Sequence, residues 1–261
     1  MKILLTNDDS HQSPLLQFAI EALSPLGDLT IVVPLEEQSW KGKSMTRFGT
    51  VHEGETVVAG RVVRTLSGTP ADCVNIAIYH YGRPDFVVSG INAGLNVGAS
   101  FVLASGTVGA CFEANIAGIP ALAWSQEFDR SLWKGYTATY SLPEEVVTHL
   151  RAQTTRVART LFPAFTALLA QDRSAYTWNV NMPHMLSNEP SLEGATLARN
   201  QYFSCFSRGE FGFQHQLVEV KKGAEAQCDD QVLLRGHVPV TRFSLSPWSA
   251  LPGLTDRLPI P

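Results

Sequence analysis

Apolar positions along the chain fall into short buried-looking runs separated by stretches of helical spacing. Residues 2–6 form an apolar run that stops at Asn7-Asp8-Asp9, as a buried parallel strand ending in a polar turn would. Ser13 is placed to cap a helix and Pro14 suits its first position, with Leu16, Ile20 and Leu23 at helical spacing until Pro25 and Gly27 interrupt. Residues 29–33 then read as a second apolar strand, so the chain opens as a βαβ unit with a right-handed crossover. The cycle repeats, with helices expected over 70–81 and 106–117 and strands over 85–89 and 121–124. Between them, 50–65 alternates like antiparallel β structure. A long helix lies within 143–169 and a strand covers 176–181 before Pro183. This pattern predicts an α/β fold, a Rossmann-like three-layer arrangement with a mostly parallel sheet.

Beyond that strand the pattern changes. From about 196 to 246, β-branched and aromatic residues mix with Gly209, Gly212, Gly223 and Gly236, which points to hairpins or an arm rather than another βαβ unit. The last fifteen residues hold four prolines and read as an extended tail. We therefore expect one domain over 1–261, with a core over about 1–190 and a C-terminal β arm and tail over about 191–261.

Composition narrows the function classes. At 44% hydrophobic and 17% charged residues the chain fits an ordinary globular protein. A net charge of −4, with no basic stripe, argues against a polymeric nucleic-acid partner. The start turns acidic within nine residues and no run approaches the roughly 18 apolar residues of a membrane span, so no membrane partner and a cytoplasmic location are expected. The four cysteines form no CxxC pair and the seven histidines show no ligand spacing, so neither zinc nor a disulfide framework is indicated.

Three features carry chemistry. Adjacent carboxylates within a strand point to opposite faces, so Asp8 and Asp9 can share one ion only where the strand turns, and Asn7 marks such a place. A plain capping turn is the competing reading. The segment SGINAGLNVG, after the strand at 85–89, interleaves glycines that admit an anion to the backbone with Asn92 and Asn96, neutral oxygen or amide partners. It is not GxGxxG, so a dinucleotide fingerprint fails. Third, Ser105-Gly106-Thr107-Val108 opens a helix whose free N–H groups suit a phosphate, with a simple Ser N-cap as the alternative. In a doubly wound sheet all three features converge on one crevice, and carboxylates with neutral oxygens favour Mg²⁺ or Mn²⁺ over zinc. Glu113, on that helix, reads as solvated or paired. Phe101, Trp124 and Phe128 read as core or rim residues that could also stack a base.

Taken together the motifs resemble those of the stationary-phase survival protein SurE family, metal-dependent 5′/3′-nucleotidases with a Rossmann-like core. The resemblance runs from ILLTNDD through Ser44-Met45-Thr46 and Gly68-Thr69-Pro70-Ala71-Asp72-Cys73. It is densest from Arg83-Pro84-Asp85 through SGINAGLNVG to SGTVGACFEA, and ends at Asn179-Val180-Asn181-Met182-Pro183, covering roughly 1–185. It implies Asp8, Asp9, Ser39 and Asn92 as metal ligands, with Asp8 and Asp9 the catalytic carboxylates. Asn96, Ser105, Gly106 and Thr107 would hold the phosphate. Ser10, Leu15 and Trp40 stand where the family carries glycine, and Ala104 where many members carry Tyr. A positive φ at Ser10 would cost roughly 1 kcal/mol or more.

The activity implied is hydrolysis of nucleoside 5′- or 3′-monophosphates with one divalent ion per subunit, water or an aspartate serving as nucleophile. The alternatives are a broad acid phosphatase or short-chain exopolyphosphatase, and a non-catalytic nucleotide or phosphate sensor. Homodimers or homotetramers through the C-terminal arm are also implied. Independently, hairpins bearing Tyr202, Phe203, Phe206, Phe211 and Phe213 would expose edges and aromatics.

Overall fold

The computed structural model describes residues 1–216 and 220–245. Strand β1 (Lys2–Thr6) lies inside the sheet, and helix α1 (Pro14–Leu23) begins as its sequence indicates, Ser13 Oγ accepting the Leu15 N–H with Pro14 in the first turn. After α1 come β2 (Asp28–Pro34) and the hairpin of β3 (Glu53–Val58) and β4 (Arg61–Leu66). Helix α2 (Pro70–Ile76) opens on a capping box between Thr69 and Asp72. It continues as a wider π turn over Ala77–Tyr81, completing the helical stretch expected there.

Next follow β5 (Phe86–Ala93), α3 (Gly98–Ala104), α4 (Gly106–Ile116), β6 (Ala121–Gln126), α5 (Trp133–Thr139), α6 (Glu144–Gln171) and β7 (Tyr176–Met182). β5 is longer than expected. The glycine- and asparagine-rich stretch placed after a strand ending at 89 runs on as strand through Ala93, pairing with β6 across a register shift between Gly90 and Asn92. Tertiary pairing overrides composition there.

The described C-terminal part holds β8 (Leu192–Gly194), β9 (Gln201–Tyr202), β10 (Phe206–Gly209), β11 (Gly212–His215), β12 (Val220–Lys221), α7 (Asp229–Leu234) and β13 (Val238–Ser244). Antiparallel pairs β10–β11 and β9–β12 form the expected hairpin arm. The expected division near residue 190 is crossed by two strands, because β13 returns to the central sheet to pair antiparallel with β7 and β8 pairs with β13 at its edge. The expected tail from Pro247 lies outside the described residues.

The main sheet runs β3-β4-β2-β1-β5-β6-β7-β13-β8, parallel from β4 to β7. Period-two alternation distributes its side chains between two cores. Ile3, Leu5 and Val88 pack with Phe18 of α1 and with Leu161 and Phe165 of α6. Leu4, Val32 and Val87 pack with Val74 of α2 and with Val108 and Cys111 of α4. Helices on both faces make the three layers and leave the strand C-termini open at a single rim, where the polar turns emerge. Among the described residues no single helix is long and apolar enough to cross a membrane.

The first core depends on a run of rings. Phe165 lies 4.6 Å from Phe86 and 4.7 Å from Trp178, joining α6 to two strands. Phe165→Ala should cost roughly 3–5 kcal/mol, read as a lower urea midpoint with an unchanged slope. A loss below about 1 kcal/mol would show that α6 is held elsewhere.

Candidate functional site

The site is built where β1 ends. Asn7 Nδ2 donates to the Ser10 carbonyl at 2.8 Å, closing a turn over Asp8 and Asp9. Ser10 adopts φ 68°, the left-handed geometry that a glycine would accept without cost. The turn hands the two carboxylates to different elements. Asp8 reaches the start of α4, where Thr107 Oγ1 donates to Oδ1 at 2.6 Å and the Thr107 N–H to Oδ2 at 3.1 Å. Asp9 reaches the end of β5, and its Oδ2 accepts the Ala93 N–H at 2.7 Å. Both aspartates are 3% exposed, so this pair is buried rather than a solvated capping turn.

Helices α3 and α4 meet at Ser105 with a bend of 70° that presents the N-terminus of α4 to the turn. Ser105 Oγ accepts the Val108 N–H at 3.1 Å, so it is an N-cap whose hydroxyl proton remains available to a ligand. Gly106 is required by contact: a Cβ there would lie 2.9 Å from both Cβ and Oδ2 of Asp8. The loop after β2 is tied in by the Gln38 N–H, which donates to the Asp8 carbonyl at 2.7 Å and brings the half-buried Ser39 to the same rim. Asn92, 7% exposed, sits at the end of β5 beside the residue that binds Asp9.

Two expected phosphate ligands have other engagements. Both donors of Thr107 go to Asp8, because the chain enters α4 directly against the carboxylate, so Thr107 positions Asp8. Asn96 turns its Nδ2 to Ser125 Oγ at 3.0 Å, while Asn179 and Asn181 hold its backbone. Glu113, read as solvated or paired, is buried and paired, with Lys43 Nζ at 2.7 Å and Asn75 Nδ2 donating at 2.7 Å.

Sequence reasoning missed several contributors. Tyr136 OH lies 3.1 Å from Ser13 Oγ, at the base of the turn. Beside it opens a cleft of about 350 Å³ lined by Ser10, Gln12, Leu35, Glu36, Glu37 and Tyr140. Asp229 binds the Gly98 and Ala198 N–H groups at 2.8 and 2.9 Å, and Asn200 the Val97 carbonyl, pinning the loop before α3. No spacing links Asp229 to a loop 131 residues away, so the sequence carries no local signal for it.

Burial pushes the Asp8 carboxyl up to about 6, against the pull of its Thr107 hydrogen bonds. Asp9 is raised well above the ordinary range, first by burial and then by the charge of Asp8. Two adjacent buried anions without a cation are an electrostatic deficit. Among the described residues no three His, Cys, Asp or Glu side chains cluster for a metal. A cation here would therefore rest on two carboxylates and neutral oxygens. That donor set suits a hard ion, and Asn7 Oδ1 is buried beside the pair without a hydrogen-bond partner. The residues fit such an ion.

The sequence model of the family described as "Survival protein SurE" matches residues 3–204. A 5'-nucleotidase SurE of Thermofilum pendens is 32% identical over 94% of this chain and 91% of its own length. Another, of Methanocella arvoryzae, is 34% identical over 77% of this chain and 74% of its own. The crystal structure of the SurE protein of Aquifex aeolicus superposes with a TM-score of 0.67 at 25% identity, covering 94% of this chain and 93% of that one.

The electrostatic deficit has a measurable sign. Asp9 is raised in the folded state, so its contribution to stability is complete below its unfolded value of 3.8 and is lost as pH rises above it. Asp9→Asn keeps an acceptor for the Ala93 N–H and removes the charge. In chelator at pH 7.5 it should melt a few degrees above the parent, and the gap should close toward pH 4. A variant that melts lower than the parent at pH 7.5 would show that the pair is not a cost.

Proposed function

The chain belongs to the survival protein SurE family, and from that premise we propose that it hydrolyses nucleoside 5′- or 3′-monophosphates to nucleoside and phosphate. The observation that carries this reading is the direct contact between the buried Asp8 and the N-terminus of α4 through Thr107. It sets a cation-demanding carboxylate pair beside an anion-accepting helix end, the two charges that a phosphoryl group must meet at once.

Asp8, Asp9, Ser39 and Asn92 would hold one divalent ion per subunit, Mg²⁺ or Mn²⁺. When bound, such an ion supplies Lewis-acid polarisation of a phosphoryl oxygen and activation of water. The protein's own share is preorganisation. The N–H of Gly106 and the hydroxyl of Ser105 would face the phosphate with the positive end of α4, and the lack of a Cβ at Gly106 lets Asp8 lie directly against that helix end. Thr107 fixes one Asp8 rotamer, and the Ala93 N–H fixes Asp9, so neither carboxylate must reorganise as charge develops. Asn96, held by Ser125 and Asn181, spends one amide N–H on Ser125 Oγ and keeps the second N–H of Nδ2 for the phosphate.

The same premise supports a cytoplasmic homodimer or homotetramer joined through the C-terminal arm. Phe211 is 95% exposed there, and Phe203, Phe206 and Phe213 are exposed with it, an apolar surface of the kind that a second copy covers.

The central test is phosphate release from a panel of nucleoside monophosphates with Mg²⁺, Mn²⁺ or chelator. Release should require a divalent ion, and equal turnover in chelator would overturn the cation's role. Ser105→Ala separates ligand from cap. As a cap alone it costs about 1 kcal/mol of stability. As a phosphate donor it should also lower kcat by roughly a hundredfold and weaken inhibition by inorganic phosphate. A variant that melts earlier yet turns over like the parent would confine Ser105 to capping.

A further inference from the structure

Trp40 holds neither phosphate nor cation, yet its backbone is kept in a costly state. Its φ of 62° lies in the left-handed region, at roughly 1 kcal/mol or more for a residue with a side chain, and the residue is still 41% exposed. Strain of this kind persists where surrounding contacts over-determine it, and here they are rings. Trp40 meets Phe101 at 5.9 Å, Tyr202 at 5.9 Å and His215 at 4.9 Å, each edge-to-face, and Phe101 meets Tyr202 at 6.0 Å. Three separate parts of the chain, the loop after β2, helix α3 and the arm, meet in this one aromatic wall.

The wall adjoins the phosphate end of the site on two sides. Trp40 directly follows Ser39, and its loop is stitched to the α3–α4 corner by the Gly42 N–H donating to the Ala104 carbonyl at 2.9 Å. Phe101 lies four residues before Ser105 along α3, about one helical turn. Through Ser39 on one side and the last turn of α3 on the other, these rings border the residues that would receive the anionic end of a ligand. An exposed tryptophan flanked by half-buried rings next to an anion site suits a flat aromatic group, which stacks on indole irrespective of its hydrogen-bonding edges.

We propose that Trp40, supported by Phe101 and Tyr202, is the base-stacking wall that makes this enzyme prefer nucleotides over other phosphate monoesters. The proposal rests on the nucleotidase reading and adds to it the residue that recognises the leaving group. It also accounts for the strained backbone: glycine would fit the turn at no cost, and tryptophan contributes a face that glycine lacks. Because stacking reads the π-face and not the base edges, the wall favours nucleosides as a class and discriminates weakly among bases.

The experiment compares kcat/KM for AMP with that for ribose 5-phosphate, which carries the same phosphate and sugar without the base. The parent should favour AMP by about tenfold or more, the scale of one lost base stack. Trp40→Gly suits the left-handed backbone and should fold. It should bring the ratio near one, mainly by raising KM for AMP, while Trp40→Phe retains most of the preference. Phe101→Ala, remote from Ser39 in sequence, should lower the same ratio. A readout independent of turnover is quenching of tryptophan fluorescence by adenosine in chelator, expected in the parent and lost in Trp40→Phe. Equal losses on the two substrates in Trp40→Gly would overturn the proposal, showing that Trp40 merely shapes the Ser39 loop. An unchanged ratio would overturn it as well. A parent inert on both substrates with metal present would instead sink the nucleotidase reading beneath it.

Discussion

The two-point contact between Thr107 and Asp8 is the constraint around which the site is arranged. A buried carboxylate is tolerable only when its oxygens are satisfied, and here one residue satisfies both, through its side chain and its backbone. That contact fixes the distance between the end of β1 and the start of α4, which in turn forces glycine at 106 and a sharp corner at Ser105. The loop after β2 and the end of β5 then attach to the same turn, one through the Asp8 carbonyl and the other through the Asp9 carboxylate. Charge is thereby concentrated where all the parallel strands end, and the surrounding hydrogen bonds leave it few ways to relax.

Much of this was legible in the sequence because it is locally encoded. The apolar run before Asn7, the Ser13-Pro14 start of α1 and the Ser105 cap each depend on neighbours within a few residues, and each stands where its pattern places it. The extension of β5 from Gly90 to Ala93 is not legible, because the composition there is turn-like and the expected strand stops at 89. Its strand character comes from β6, which is distant in sequence. The orientation of the Thr107 hydroxyl was equally hidden, since spacing shows that a threonine opens the helix but not that an aspartate 99 residues earlier claims both of its donors. Ser39 entered only through the family resemblance, because a lone loop serine carries no periodic or capping signal.

Positions 10 and 40 show the limits from the other direction. Both depart from a glycine of the family pattern, and both adopt positive φ, so the backbone geometry is retained while the side chain changes. At Ser10 nothing in the structure explains the added hydroxymethyl group beyond a weak contact from Oγ to the Gln12 N–H at 3.3 Å. At Trp40 the same backbone requirement accompanies a dense set of ring contacts. One unfavourable conformation therefore has two quite different surroundings within a single site.

The return of β13 to the central sheet bears on how the protein is made. A ribosome that has released residues up to β7 has supplied the whole parallel run from β4 to β7, the Asp8-Asp9 turn and the helix corner, so this part of the sheet can collapse early. Yet β7 then presents an unpaired edge until the whole arm has followed and β13 emerges to cover it. The nascent chain passes through an interval in which a nearly finished sheet has a bare, apolar border, and the aromatic hairpins are synthesised during that same interval. Correct closure requires the last strand of the sheet to outcompete the sticky segment that precedes it, which makes the order of synthesis a folding hazard specific to this topology.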